Sequence, residues 1–202
     1  MEERDTYNTI DKDYSGLFKD KGSKFISYAY PVENEEQVKE IIHKLKKEHF
    51  SARHHCYAYR LGYSGEKYRY NDDGEPSGTA GRPIHGQLLS FDLTNILIVV
   101  VRYFGGTLLG VSGLINAYKN AASDVINNSR IVQKIVEDKF ELLFDYPIQN
   151  QVQRILKEDH IEIVDSKFEM RCLYQIAIRI NLMETVLKKL DTIEGLTVTK
   201  IE

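Results

Sequence analysis

The chain of 202 residues has little of several things, and each shortage removes a class of protein. Its longest purely aliphatic run is Ile96–Val101, far short of the ~20 apolar residues that a membrane-spanning helix needs. The opening residues, MEERDTYNTIDKDYSG, are polar and acidic with no apolar core, so no secretory signal is expected there. Two cysteines occur far apart, Cys56 and Cys172. They make no disulfide framework, and a reducing, cytoplasmic setting is the expectation. Basic excess is missing too, since the formal net charge is -3. Proteins that coat nucleic acid without sequence preference are strongly basic, so any such contact here must be local. The acidic surplus falls wholly after residue 130, while all but one of the 6 histidines lie before it.

The length suits one large domain or two small ones, and the periodic patterns argue for two. Ser23–Val32, SKFISYAYPV, alternates and is rich in β-formers, so it reads as a strand. Asn34 then opens a helix. Its amide can cap, Glu35 and Glu36 complement the helix dipole, and Gln37 holds the capping-box position. Val38, Ile41, Ile42 and Leu45 form its apolar stripe, which makes the nearby Lys44, Lys46 and Lys47 a solvated helix surface. CYAYRLG (56–62) and YRYND (68–72) read as hairpin strands joined by YSGEK. A short helix is expected over Pro83–Phe91, where proline suits the first turn. The run 95–104 is apolar on both faces and therefore a central strand. A helix follows from about Leu114 to Asn127.

After NNSR (127–130) the rhythm changes. A strand in KIVEDKFELLFDY precedes a helix over Ile148–Asp159, and IEIVDSKFEMRCLYQIAIRI reads as a hairpin. Asn181 with Glu184 offers a capping box for a helix, and LTVTKI closes as a strand. That order, β-α-β-β-α-β, is the ferredoxin-like split unit. The fold class expected is α+β in two domains, residues 1–130 and 131–202.

Three stretches carry chemistry. RYNDDGEPSGTAGRPI (69–84) packs carboxylates, glycines, hydroxyls and arginines into a segment with almost no apolar residue. Asp72, Asp73 and Glu75 are candidates for holding a hard cation or for acid/base work, without the spacing of a calcium loop. Gly78 to Pro83 entering a helix resembles a backbone nest, with Ser77 and Thr79 as hydroxyl donors and Arg82 aimed at an oxyanion. The competing reading is a hydrated turn. RYFGGTLLGVSGL (102–114) places a buried strand, a glycine loop and a helix start in sequence, which can cradle an anion at Arg102, Gly105 and Gly106. It matches no nucleotide fingerprint, because Val111-Ser112 stands where a P-loop needs Lys-Ser/Thr. The alternative is a tight turn whose glycines serve packing alone. In ARHHCYAYR (52–60), His54, His55 and Cys56 alternate across a strand, so they cannot easily converge on zinc, and no metal ligand set is assigned. Arg53, either His54 or His55, and Arg60 contribute positive charge beside tyrosines 57, 59, 63, 68 and 70. A sheet stacks bases and holds phosphates with such a composition, although tyrosines also simply fill strands.

These blocks, in this order and at these distances, resemble the YigZ/IMPACT family, whose bacterial proteins are also called YvyE. The likeness covers essentially the full chain. It implies an amino-terminal IMPACT domain with the fold of the second domain of ribosomal protein S-five. It also implies a ferredoxin-like carboxy-terminal domain similar to the last domain of elongation factor G. Eukaryotic members of the family regulate translation, through a ribosome-associated partner, by interfering with the kinase that senses amino-acid starvation. What the resemblance implies for this chain is a translation- or nucleic-acid-associated regulatory binder. The family's motif falls on Arg53, His54, Asp72, Asp73, Glu75, Ser77, Thr79, Arg82, Arg102, Gly105 and Gly106, and no catalytic residue transfers with it.

The leading reading is a binder of RNA or a ribosome-associated ligand that modulates translation without a cofactor and without chemistry. One alternative is a magnesium-assisted enzyme acting on a phosphorylated small molecule or nucleotide through Asp72, Asp73 or Glu75. Another is a protein–protein adaptor.

Overall fold

The structure, a computed structural model, describes residues 5–201. Residues 7–134 form one compact unit, and residues 135–201 with 5 and 6 form another. The division falls a few residues beyond 130 because β7 (Ile131–Ile135) pairs with β1 (Thr6–Ile10) as a two-stranded sheet.

The larger unit is built on an antiparallel sheet of β2 (Tyr14–Asp20), β3 (Ser23–Pro31), β4 (His54–Leu61), β5 (Lys67–Asn71) and β6 (Ile96–Tyr103), ordered β2-β3-β6-β4-β5. β6 is central for the reason its composition gives: Ile96 through Arg102 are all buried. Ile96, Ile98 and Val100 pack with Ile84 and Leu88 of α2 (Gly81–Ser90) and with Tyr118 and Val125 of α3 (Gly110–Asn127). Leu97, Val99 and Val101 pack on the other face with Val38 and Leu45 of α1 (Glu35–Glu48). The period of two thus sorts one strand between two helical layers. Asn34 caps α1, its Oδ1 accepting from Gln37 N at 2.9 Å, while Gln37 Oε1 accepts from Glu33 N at 2.8 Å. Both later helices begin earlier than their apolar stripes suggest. α2 starts at Gly81 rather than Pro83, and α3 at Gly110 rather than Leu114, because glycine opens each first turn and leaves no stripe to read.

The smaller unit runs β8 (Glu137–Phe144), α4 (Gln149–Glu158), β9 (Ile163–Phe168), β10 (Cys172–Arg179), α5 (Ile180–Asp191) and β11 (Thr197–Ile201). Its sheet order is β11-β8-β10-β9, all antiparallel. Phe140, Leu142, Phe144, Tyr174, Ile176 and Ile178 form one buried face with Val152 and Leu156 of α4 and Val186 and Leu190 of α5. This is the ferredoxin-like arrangement. The strand expected across 134–146 is broken at Val136, whose N–H donates to the Asp5 carbonyl and whose carbonyl accepts from Ile180 N. The capping box of Asn181 and Glu184 does not form. α5 already starts at Ile180 with Arg179 as N-cap, and Glu184 pairs instead with Lys188 at 2.6 Å. Among the described residues no helix is long and apolar enough to cross a membrane.

The two asparagines therefore differ in what they hold. Asn34→Ala is expected to cost about 1 kcal/mol in urea denaturation, while Asn181→Ala, at an exposed position inside α5, changes stability by less than about 0.5 kcal/mol. Equal losses from both would contradict this placement of the caps.

Candidate functional site

Arg102 ends the buried run of β6, and a guanidinium there needs a partner. Glu75 supplies it: Arg102 Nη1 donates to Glu75 Oε1 at 2.7 Å, with the two residues 6% and 8% exposed. The same oxygen accepts from the Tyr118 hydroxyl of α3 at 2.8 Å, and Cys56 Sγ of β4 lies 3.3 Å from that hydroxyl. Phe25 and Phe104 each place a ring 5.6 Å from the guanidinium carbon, close enough for cation–π attraction. One buried polar chain thus joins the central strand, the loop 72–80 and α3.

That loop satisfies itself. Asp72 accepts from Gly78 N at 2.9 Å, Ala80 N at 3.0 Å and Gly81 N at 2.8 Å, so its carboxylate fills the backbone nest in which a phosphate was expected. Thr79 is buried and its hydroxyl donates to the Pro76 carbonyl at 2.6 Å. Asp73 accepts from Lys46 Nζ at 2.8 Å and from His55 N at 2.7 Å. The three carboxylates accordingly face three different sets of partners. Among the described residues no group of three or more His, Cys, Asp or Glu could hold a metal ion.

Beside the ion pair opens a pocket of about 440 Å³. Arg53, His54, Glu75 and Arg102 form its polar side. Pro76, Phe104, Leu108, Leu109, Val111 and Leu114 form its apolar lining, together with Gly110 at the start of α3. The pocket brings the two glycine-rich loops together, one through Glu75 and Pro76 and the other through Phe104 to Val111. Arg53 is exposed and makes no ion pair among the described residues. His54 Nδ1 lies 2.9 Å from the Asp73 carbonyl and must donate to it, which turns Nε2 toward Glu75 Oε1 at 4.0 Å. α3 has no side-chain cap and no acidic residue in its first turn, so its positive end faces the pocket uncompensated.

Several expected contacts lie elsewhere. Arg60 Nη1 and Nη2 donate to the carbonyls of Leu93 and Ser64, at 2.8 and 3.3 Å. Arg82 and Ser77 are exposed and do not line the pocket. Gly105 N donates to Ser23 Oγ at 3.2 Å, and a Cβ at Gly105 would stand 1.9 Å from the Gly22 carbonyl carbon, so this glycine serves close packing. Gly106, at φ +88, has nothing within 4 Å of a built Cβ and does not line the pocket. Tyr57 and Tyr59 belong to the packing on the α1 face, Tyr63 is exposed, and Tyr68 and Tyr70 lean on His85 with ring centroids at 4.7 and 5.6 Å. No base-stacking row of tyrosines borders the pocket. The sequence reading missed its aliphatic wall, for which the signal was the Leu-Leu pair between Gly106 and Gly110. It also missed the ion pair, whose signal was a charge ending an otherwise apolar central strand.

The titratable groups are tuned toward stability rather than reactivity. Burial pushes the Cys56 thiol far up, against the smaller effect of the Tyr118 hydrogen bond, so the thiolate a nucleophile requires is suppressed. Both cysteines are buried. Neither is expected to react quickly with a soluble disulfide reagent in the folded chain, and both should react on unfolding; a rapid stoichiometric reaction of folded protein would contradict the burial. Burial also lowers His55 and His85 below the ordinary imidazole range. Asp73 is raised by burial, but the Lys46 ammonium and the His55 N–H outweigh this and leave it below the usual carboxyl range. For all three groups the unfolded chain binds protons more tightly. Their stabilisation is therefore present above the unfolded pKa values and is lost as pH falls through the folded ones. The melting temperature is expected to fall between about pH 7 and about pH 5, through the histidine range, and His55→Gln to make that fall shallower. A variant slope as steep as that of the parent chain would contradict this account.

The comparisons with known proteins bear on these same residues. The Impact N-terminal domain family matches residues 21–126, a span that contains the whole pocket lining. An IMPACT family member of Haemophilus influenzae is 37% identical over 151 residues, covering 74% of this chain and 73% of that one. IMPACT family member YigZ of Escherichia coli is 31% identical over 160 residues, 78% of each chain. A crystal structure described as that of a hypothetical protein superposes with a TM-score of 0.70 at 28% identity, over 98% of both chains. On the strength of the matched domain and these relatives, the chain belongs to the IMPACT family.

Proposed function

We propose that the protein is a non-catalytic regulatory binder acting in translation, and that it engages a ribosome-associated ligand through the pocket beside Arg102 and Glu75. The observation that carries this reading is the convergence of Arg53, His54, Arg102 and the uncapped end of α3 with an exposed aliphatic wall. Such a combination holds a ligand by one anionic and one apolar group. The family likeness supplies the translation context.

The groups lining the pocket favour binding over catalysis. Cys56 is suppressed as a nucleophile, and Glu75 Oε1 is held by Arg102 and Tyr118, which leaves the His54 imidazole with no activated nucleophile beside it among the lining residues. An RNA ligand is the weaker of the binding readings. The arginine, hydroxyl and backbone donors expected on its phosphates at Arg60, Thr79, Gly78 and Gly105 are engaged within the chain.

Co-sedimentation of purified protein with ribosomes through a sucrose cushion tests this. Arg53→Glu and Leu108→Asp, both at exposed positions lining the pocket, are expected to lower the bound fraction about ten-fold. Arg82→Ala, away from the pocket, is expected to leave it unchanged. No sedimentation above a ribosome-free control, or equal sedimentation of all variants, would overturn the proposal.

A further inference from the structure

The pocket has few charges, and their number restricts what it can take. Glu75 and Arg102 neutralise one another, and the His54 Nδ1 proton is committed to a backbone carbonyl. Arg53 and the end of the 18-residue α3 remain as uncompensated positive features, together about one and a half charges. Independently of the helix, Arg102 is 6% exposed, lines the pocket, and has an Nε without an acceptor among the described residues. A guanidinium left one acceptor short, beside a net charge this small, matches a single anionic group and disfavours a di- or triphosphate.

The apolar lining decides between monoanions. Nucleobases bind by stacking on aromatic planes, and Phe104 and the bonded His54 imidazole are the aromatic rings in the described lining. Leu108, Leu109, Val111 and Leu114 instead present branched aliphatic surface, which fits an aliphatic side chain. A free amino acid would add an ammonium group. That ammonium would stand beside Arg53, Arg102 and the positive end of α3, where the balance of charge is already positive, so it is repelled. An amide nitrogen in the same place carries no such cost.

Building on the binder reading above, we propose that the pocket takes the C-terminal carboxylate of a peptide chain ending in a large aliphatic residue. The carboxylate lies at Arg53 and the first N–H groups of α3, and the side chain lies against Leu108 and Leu114. Capture of a terminal carboxylate by backbone donors is a recurrent mode of peptide recognition.

The test is a titration of isotope-labelled full-length protein, followed by amide chemical shifts, with an acetylated tetrapeptide ending in leucine. The free acid is expected to move the amides of Gly110 and Val111. The same peptide with a C-terminal amide should bind about ten-fold more weakly, and Arg53→Ala should weaken the free acid by about five-fold or more. Free leucine and inorganic phosphate at the same concentrations should leave those amides unmoved. The proposal is overturned if acid and amide bind alike, if neither moves these amides, or if a short single-stranded RNA moves them at lower concentration than the peptide. Because ribosomes take no part, peptide failure with co-sedimentation intact removes only this assignment. Peptide binding without co-sedimentation removes only the translation reading.

Discussion

A guanidinium at the end of an otherwise apolar central strand cannot remain buried alone. Removing one partner from such a pair leaves an uncompensated charge at a cost of about 3–5 kcal/mol, so the position of Arg102 dictates that Glu75 come to it. Glu75 brings its loop against β6, and the Tyr118 hydroxyl adds α3 to the same oxygen. Three segments distant in the chain are thereby tied at one point. The pocket is the space left where they meet.

The loop held there has already met its own polar demands. Asp72 closes the turn by accepting three backbone N–H groups, and Asp73 ties it to α1 and β4. A loop rich in charge thus offers few free donors, because its charges keep it rigid. The groups left over at the pocket are chiefly Arg53, the end of α3 and the exposed Leu108 at 84% accessibility. Few polar groups on a rigid frame beside apolar surface is a common design for small binding sites.

Much of this was legible in the sequence wherever one periodicity dominated. The Asn34 cap, the stripe of α1 and the two-faced apolarity of β6 are local signals, and the structure follows them. β1 and β2 escaped notice because their residues are mixed and half-exposed, and because Gly16 interrupts β2. The reason for that glycine is tertiary: a Cβ there would lie 2.5 Å from Asp124 Oδ2 and 3.4 Å from the Val125 Cα of α3. Asn181 and Glu184 had the spacing of a capping box, yet α5 starts two residues too soon to use it. At the site, residue types marked the two loops that converge, but not which charge would meet which. Arg60 and Arg102 look alike in a string of letters. One meets carbonyls and the other a carboxylate because β4 and β6 carry them to different surroundings.

The close approach at Gly16 also separates ancestry from autonomy. The portion matched by the domain family spans 21–126 and begins inside the turn between β2 and β3, whereas the compact unit spans 7–134. A fragment trimmed to the recognisable limits would strip β2 from α3 and leave the outer margin of β3 with unpaired backbone groups, a sticky border prone to coagulation. Dissection of this protein should follow its hydrogen-bonded perimeter instead of its pedigree.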